Sequence, residues 1–139
     1  QMIHTILCVD DEPDNLDALE RLLRPKYKVL KAQSGSQALD LIQSQQNAIH
    51  VIISDQRMPE MTGTEFLKQA SDLTPSTIRI LLTGFTDIES VIKAINEGQV
   101  YRYLNKPWDP VDLVNTIEKA IDTFNLREEL RTTNQQLAE

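Results

Sequence analysis

Apolar runs alternate with amphipathic stretches along the whole chain. Ile3–Val9 is a continuous apolar run and predicts a first strand, ending at Asp10-Asp11-Glu12. Pro13 then suits the first turn of a helix, where acids nearby complement the positive amino end. That helix should bury Leu16, Leu19, Leu22 and Leu23 and stop before Pro25. Tyr27–Ala32 predicts a second strand. Ser34-Gly35-Ser36 opens a helix that should bury Ala38, Leu41 and Ile42. Val51-Ile52-Ile53-Ser54-Asp55 predicts a third strand, buried on both faces and ending in a single carboxylate.

Met58-Pro59 stops regular structure, since proline lacks an amide hydrogen and restrains the residue before it. Thr62-Gly63 leads into a helix with Phe66, Leu67 and Ala70 inward, and Ile78–Leu82 predicts a fourth strand ended by Thr83-Gly84. Ile88, Val91, Ile92 and Ile95 recur at helical spacing and predict the inward face of the next helix, with Gly98 as its left-handed cap. Val100–Leu104 predicts a fifth strand, turned by Asn105-Lys106-Pro107. A last helix from Pro110 should bury Leu113, Val114, Ile117, Ile121 and Phe124. Five strands alternating with five helices predict an α/β domain, a doubly wound parallel sheet with helices on both faces.

Beyond Leu126 the last helix turns polar, with leucines at 126, 130 and 137 on a heptad seam whose remaining core site is Thr133. This predicts a division into a domain over residues 1–124 and a helical extension over 125–139, either a solvent-exposed tail or a coiled-coil linker to another domain. The chain opens on Gln1, which points to processing or to a piece of a longer protein.

The 139 residues carry a formal charge of −7, and the sequence pI is about 4.8. This argues against direct contact with duplex nucleic acid by this segment. A single cysteine, Cys8, rules out an internal disulfide, suits a reducing compartment and lies in an apolar run as a buried, inert thiol. No apolar run is long enough to span a membrane, so the expected location is cytoplasmic.

In a parallel sheet all carboxyl ends share one edge. Asp10, Asp11, Glu12, Asp55, Thr83 and Lys106 then converge in one crevice. Clustered carboxylates repel unless a cation joins them, and oxygen-only ligands select a hard ion such as Mg2+. With Lys106 as a second positive charge, such a crevice suits an incoming phosphoryl group attacked by a carboxylate. Each residue alone has a plainer explanation: helix-end acids, a turn at Thr83-Gly84, a surface lysine. Their coincidence on one edge is what points to chemistry. His4 and His50 fall near strand starts, at the opposite edge, and have no predicted catalytic role.

Val9-Asp10-Asp11-Glu12, Asp55 with Met58-Pro59 and Gly63, Leu82-Thr83-Gly84, and Asn105-Lys106-Pro107 together resemble the receiver domain of two-component response regulators, over about residues 4 to 124. The resemblance implies a flavodoxin-like sheet of strand order 2-1-3-4-5. It implies that Asp55 accepts a phosphoryl group from a histidine kinase or a histidine phosphotransfer protein. It implies that Asp11, Asp55 and the backbone carbonyl of Arg57 ligate Mg2+, with Asp10 in support, and that Lys106 pairs with phosphoryl oxygens. Thr83 and Tyr103 would be the switch pair, moving together and remodelling the helix 4/strand 5/helix 5 face. A homodimer through that face or through the tail, and a fused output domain, are further implications.

In this family an acid or amide two residues after the acceptor, or two after the threonine, can position the hydrolytic water. Here Arg57 and Phe85 stand there, which implies slow loss of the phosphoryl group. The domain would catalyse only its own phosphorylation and slow dephosphorylation, turning over no outside substrate. A hydrolase of the haloacid dehalogenase type also uses an aspartate nucleophile at a strand end, but needs a second acid where Arg57 stands. Nucleotide or flavin binding fails on the missing glycine-rich loop after strand one. A purely structural interaction module would have no need of the acid, hydroxyl and lysine set.

Overall fold

The structure, a computed structural model, describes residues 3–45, 49–84 and 88–138, with side chains described through residue 134. The elements run β1 (Thr5–Val9), α1 (Pro13–Leu23), β2 (Lys28–Ala32), α2 (Gly35–Ser44), β3 (Val51–Asp55), α3 (Gly63–Leu73), β4 (Ile78–Thr83), α4 (Ile88–Asn96), β5 (Arg102–Asn105) and α5 (Pro110–Ala138). The five strands form one parallel sheet in the order β2-β1-β3-β4-β5. This is the doubly wound, flavodoxin-like arrangement.

Alternation along the strands sorts the core into two layers. Leu7, Val9, Ile52 and Leu81 pack under α2, α3 and α4. Ile6, Cys8, Val51, Ile53, Ile80 and Leu82 pack under α1 and α5. The central strands β1, β3 and β4 are buried along their whole length, whereas β5 is only half-buried. Strand order reverses between β1 and β3, which opens a crevice at their carboxyl ends.

The helix α4 departs from the expected pattern. Its buried residues are Val91 and Ala94, with Ile95 packed against them, while Ile88 and Ile92 are 39% and 49% exposed. The helix flanks the edge strand β5, so the sheet runs out before the apolar face does. Four other expected core positions, Leu22, Leu41, Val114 and Phe124, are only partly buried. Gly98 is at φ +77°, and the bonds Gln99 N–H to Ala94 O (3.0 Å) and Gly98 N–H to Ile95 O (3.0 Å) complete a Schellman cap. That cap occupies Val100, which explains why β5 starts at Arg102.

Pro110 opens α5 behind Asp109, whose carboxylate accepts from Asp112 N–H at 3.0 Å. The helix runs unbroken for 29 residues, about 43 Å at the standard rise. Its continuation is partly seated on the domain. Phe124 packs on the lower core and meets the His50 ring edge-on, and the Asn125 carboxamide is 3.3 Å from His4 Nε2. His50 Nδ1 accepts from Thr5 N–H, so both histidines serve packing at the amino-terminal edge of the sheet. Leu126 and Leu130 are 58% and 55% exposed, and the Leu137 side chain lies outside the described residues.

Candidate functional site

The residues that follow β1, β3 and β5 meet at the crevice. Asp10, 1% exposed, follows β1 and is locked by its surroundings: Oδ1 accepts from Glu12 N–H (2.9 Å), while Oδ2 accepts from Asn15 Nδ2 (3.3 Å) and lies 3.5 Å from Lys106 Nζ. Asp55 ends β3 and is 6% exposed; its Oδ1 accepts from Lys106 Nζ at 3.0 Å. Asp10, Asp11 and Asp55 each bring a carboxylate oxygen within 4.8 Å of the others. The crevice opens into a cavity of about 270 Å3 lined by Asp11, Glu12, Asp55, Gln56, Arg57, Gly84 and Lys106. The Lys106–Pro107 peptide bond is cis.

The charge balance of this crevice is anionic. Burial pushes the Asp55 carboxyl above its ordinary range and the Asp10 charge adds to this, against the Lys106 hydrogen bond. Burial alone would lower the Lys106 ammonium, but Asp55 and Asp10 outweigh it and raise it. One fixed ammonium thus faces three carboxylates. A donor set made only of oxygens, in a half-open cavity, fits a hard divalent cation that keeps part of its water shell.

Not every expected site residue points into the cavity. Thr83 is 1% exposed and its hydroxyl donates to the Gly84 carbonyl at 3.1 Å, so the wall there is Gly84. In the β4–β5 ladder Thr83 faces Asn105 and Leu81 faces Tyr103, which puts Thr83 and Tyr103 on the same side of the sheet. Tyr103 is partly buried against the core under α4 and lines a groove of about 490 Å3 with Ile95 and Trp108. Arg57 is exposed at the cavity rim. Phe85 lies outside the described residues.

Three supporting residues were not singled out in the sequence. Asn15 also donates to Glu12 Oε2 at 3.3 Å, tying two acids of the β1–α1 loop together. Gln56 and Thr64 join the loop after Asp55 to α3. Their only sequence signal is the capping pattern Thr62-Gly63-Thr64-Glu65; Thr62 and Glu65 form a reciprocal capping box. Gly63 has a different reason to be glycine, because a Cβ there would collide with the Asp55 carbonyl oxygen.

The model of the family described as response regulator receiver domain matches residues 6–118, and the chain belongs to that family. The hydrogenase transcriptional regulatory protein HoxA of Bradyrhizobium diazoefficiens is 38% identical over 128 residues, 92% of this chain and 26% of that protein. The transcriptional regulatory protein ZraR of Escherichia coli is 36% identical over 117 residues, 84% of this chain and 26% of its own length. The chain thus spans about a quarter of the curated relatives it matches. Among solved structures, the signal receiver domain of an HD domain-containing protein from Pseudomonas fluorescens has a TM-score of 0.85 and 38% identity, covering 93% of this chain and 94% of that one. An adenylate cyclase structure from Rhodopirellula baltica has a TM-score of 0.90 and 34% identity, covering 99% of both chains. Receiver domains are signalling switches rather than enzymes that turn over an outside substrate. No helix among the described residues is long and apolar enough to cross a membrane.

Proposed function

We propose that Asp55 accepts a phosphoryl group from a histidine kinase or a histidine phosphotransfer protein, and that the domain passes the change on through its α4–β5–α5 face. The observation that carries this reading is Lys106 Nζ held 3.0 Å from Asp55 Oδ1 beside the Asp10, Asp11 and Asp55 cluster. An Asp55 oxygen forms the new O–P bond while the P–N bond of the donor phosphohistidine breaks, and the leaving nitrogen keeps the electron pair and is reprotonated. Asp11, Asp55 and the Arg57 carbonyl would hold Mg2+, with Asp10 in support. Bound there, Mg2+ supplies positive charge that offsets the clustered carboxylates and the oxygens of the transferred group.

Lys106 is already placed to follow one phosphoryl oxygen, since its ammonium sits on Asp55. Thr83 must exchange its bond to the Gly84 carbonyl for one to the new oxygens, and Tyr103 follows on the same side of the sheet. Phosphorylation adds about −1.5 to −2 charge, which biases this two-state element. The length of the relatives supports an output domain fused after Glu139, with α5 as the connection. The place of action in this reading is the cytoplasm. Pairing of two copies through the α4–β5–α5 face or through the tail fits the same scheme, and the acidic charge leaves DNA contact to another domain.

The test is incubation with Mg2+ and acetyl phosphate, followed by intact mass. The expected outcome is one phosphoryl adduct on the wild type, none on Asp55→Asn, and none when the cation is chelated. An unmodified wild type, or an undiminished adduct on Asp55→Asn, would sink the reading.

A further inference from the structure

Gln56 stands between the two residues that the proposed site uses most closely, Asp55 and Arg57, and lines the same cavity, yet its side-chain hydrogen bonds go to Thr64 at the start of α3. It is 5% exposed. Its Oε1 accepts from the Thr64 amide at 2.9 Å, and its Nε2 donates to Thr64 Oγ1 at 3.3 Å. Its backbone is held at the same time: Gln56 N–H donates to Leu82 O at 3.1 Å, extending the β3–β4 ladder one residue past Asp55, and Gln56 O accepts from Gly63 N–H at 2.9 Å. Residues 56–63 are therefore a loop closed at its neck by backbone and side chain together. Gly63, with no Cβ, lets that neck lie flat on the Asp55 carbonyl.

We propose that Gln56 is a positioning residue: by clamping the loop neck to Thr64, it aims the Arg57 carbonyl at the crevice and sets the affinity for the divalent cation. This rests on the switch reading above and adds a residue to it. A carboxamide is suited to the task because it offers one acceptor to the helix amide and one donor to the hydroxyl. The amide of Thr64 is among the first N–H groups of α3 and has no partner within the helix. Without the clamp, only the backbone bonds hold the neck, part of the ordering of the 56–63 loop is left until the cation binds, and the conformational freedom lost then is subtracted from the binding free energy.

The experiment is calorimetric titration of the unphosphorylated chain with Mg2+ alone, alongside urea denaturation of each variant. Gln56→Met keeps the length and removes both hydrogen bonds. It should weaken Mg2+ binding about tenfold, as loss of an outer-shell support does, with a less favourable binding entropy. Thr64→Ser, which keeps the hydroxyl, should bind as the wild type does, and Thr64→Val, which removes it, should show a smaller loss in the same direction as Gln56→Met. Leu73→Ala, at the other end of α3, is the control for general destabilisation and should leave the Kd unchanged. Wild-type affinity in Gln56→Met, or an equal loss in Leu73→Ala, overturns the positioning role alone. If Gln56→Met does not fold, wild-type affinity in Thr64→Val overturns it. No Mg2+ binding by the wild type overturns this role together with the switch reading.

Discussion

Cys8 shows how far one buried group can be read. It lies on β1 with no exposed surface, and burial pushes its thiol from the ordinary 9.0 up to about 12, with Glu20 adding and Lys31 opposing. The thiol should therefore resist alkylation in the native protein at pH 8 and react only on unfolding. The stability consequence has a definite sign. The folded thiol holds its proton more tightly than the unfolded one, so its contribution is complete below pH 9 and lost as the pH rises towards 12. The full loss is about 4 kcal/mol at 1.36 kcal/mol per pKa unit. Urea titrations at pH 8 and pH 11 should show a smaller decline for Cys8→Ala than for the wild type. Arg57 carries the other prediction at this scale. If Asp55 is phosphorylated as proposed, the expected phosphoryl lifetime is well beyond seconds, because an arginine does not orient hydrolytic water as an acid or amide would, and Arg57→Asn, which keeps the backbone carbonyl, should shorten it severalfold. Mass spectra taken over time after removal of the donor would check both.

At the scale of elements, the connections below the sheet depend on Arg79. This residue is near the amino end of β4 and is 7% exposed. Its guanidinium donates to four carbonyls: Thr74 (3.3 Å) and Thr77 (2.9 Å) before β4, and Gly98 (3.2 Å) and Gln99 (2.9 Å) in the cap of α4. Burial, with a contribution from Arg127, pulls the guanidinium below its ordinary value. A hydrophobic reading of Ile78–Leu82 has no place for a cation in the middle, and periodicity could not reveal that its partners are turn carbonyls. Arg79→Met should destabilise the fold by about 2–4 kcal/mol, because four acceptors lose their donor in a buried setting. The urea midpoint would report it. The same tertiary cause governs α4: its apolar positions at 88, 91, 92 and 95 were legible, but the sheet edge decided that Val91 and Ala94 face inward and leave Ile88 and Ile92 exposed.

Across the whole molecule, strand order converts four dispersed segments into one crevice. Asp10, just after β1, and Asp55, at the end of β3, are neighbours because β1 and β3 pair directly, while β2 is displaced to the edge. Lys106 crosses from the end of β5 to reach Asp55 at 3.0 Å and Asp10 at 3.5 Å. The extension of α5 is likewise a whole-molecule feature. Its heptad leucines were visible, but the contact of its first residue, Asn125, with His4, next to Phe124 on the His50 ring, joins residues that are distant in the chain.

The amino-acid sequence by itself determined the alternation of strands and helices, the buried central strands, the left-handed cap at Gly98 and the chemistry-bearing residues at the strand ends. These follow from local rules, namely period, turn residues and charge at helix ends, that need no distant partner. Tertiary structure alone decided which face of α4 is buried, that Thr83 turns to Gly84, and that Gln56 holds Thr64 across the loop. Each of those depends on a neighbour brought close by the sheet, so no window of the sequence contains it. Asp55 belongs to both levels: its place at the end of β3 is local, and the ammonium that sits on it comes from 51 residues away.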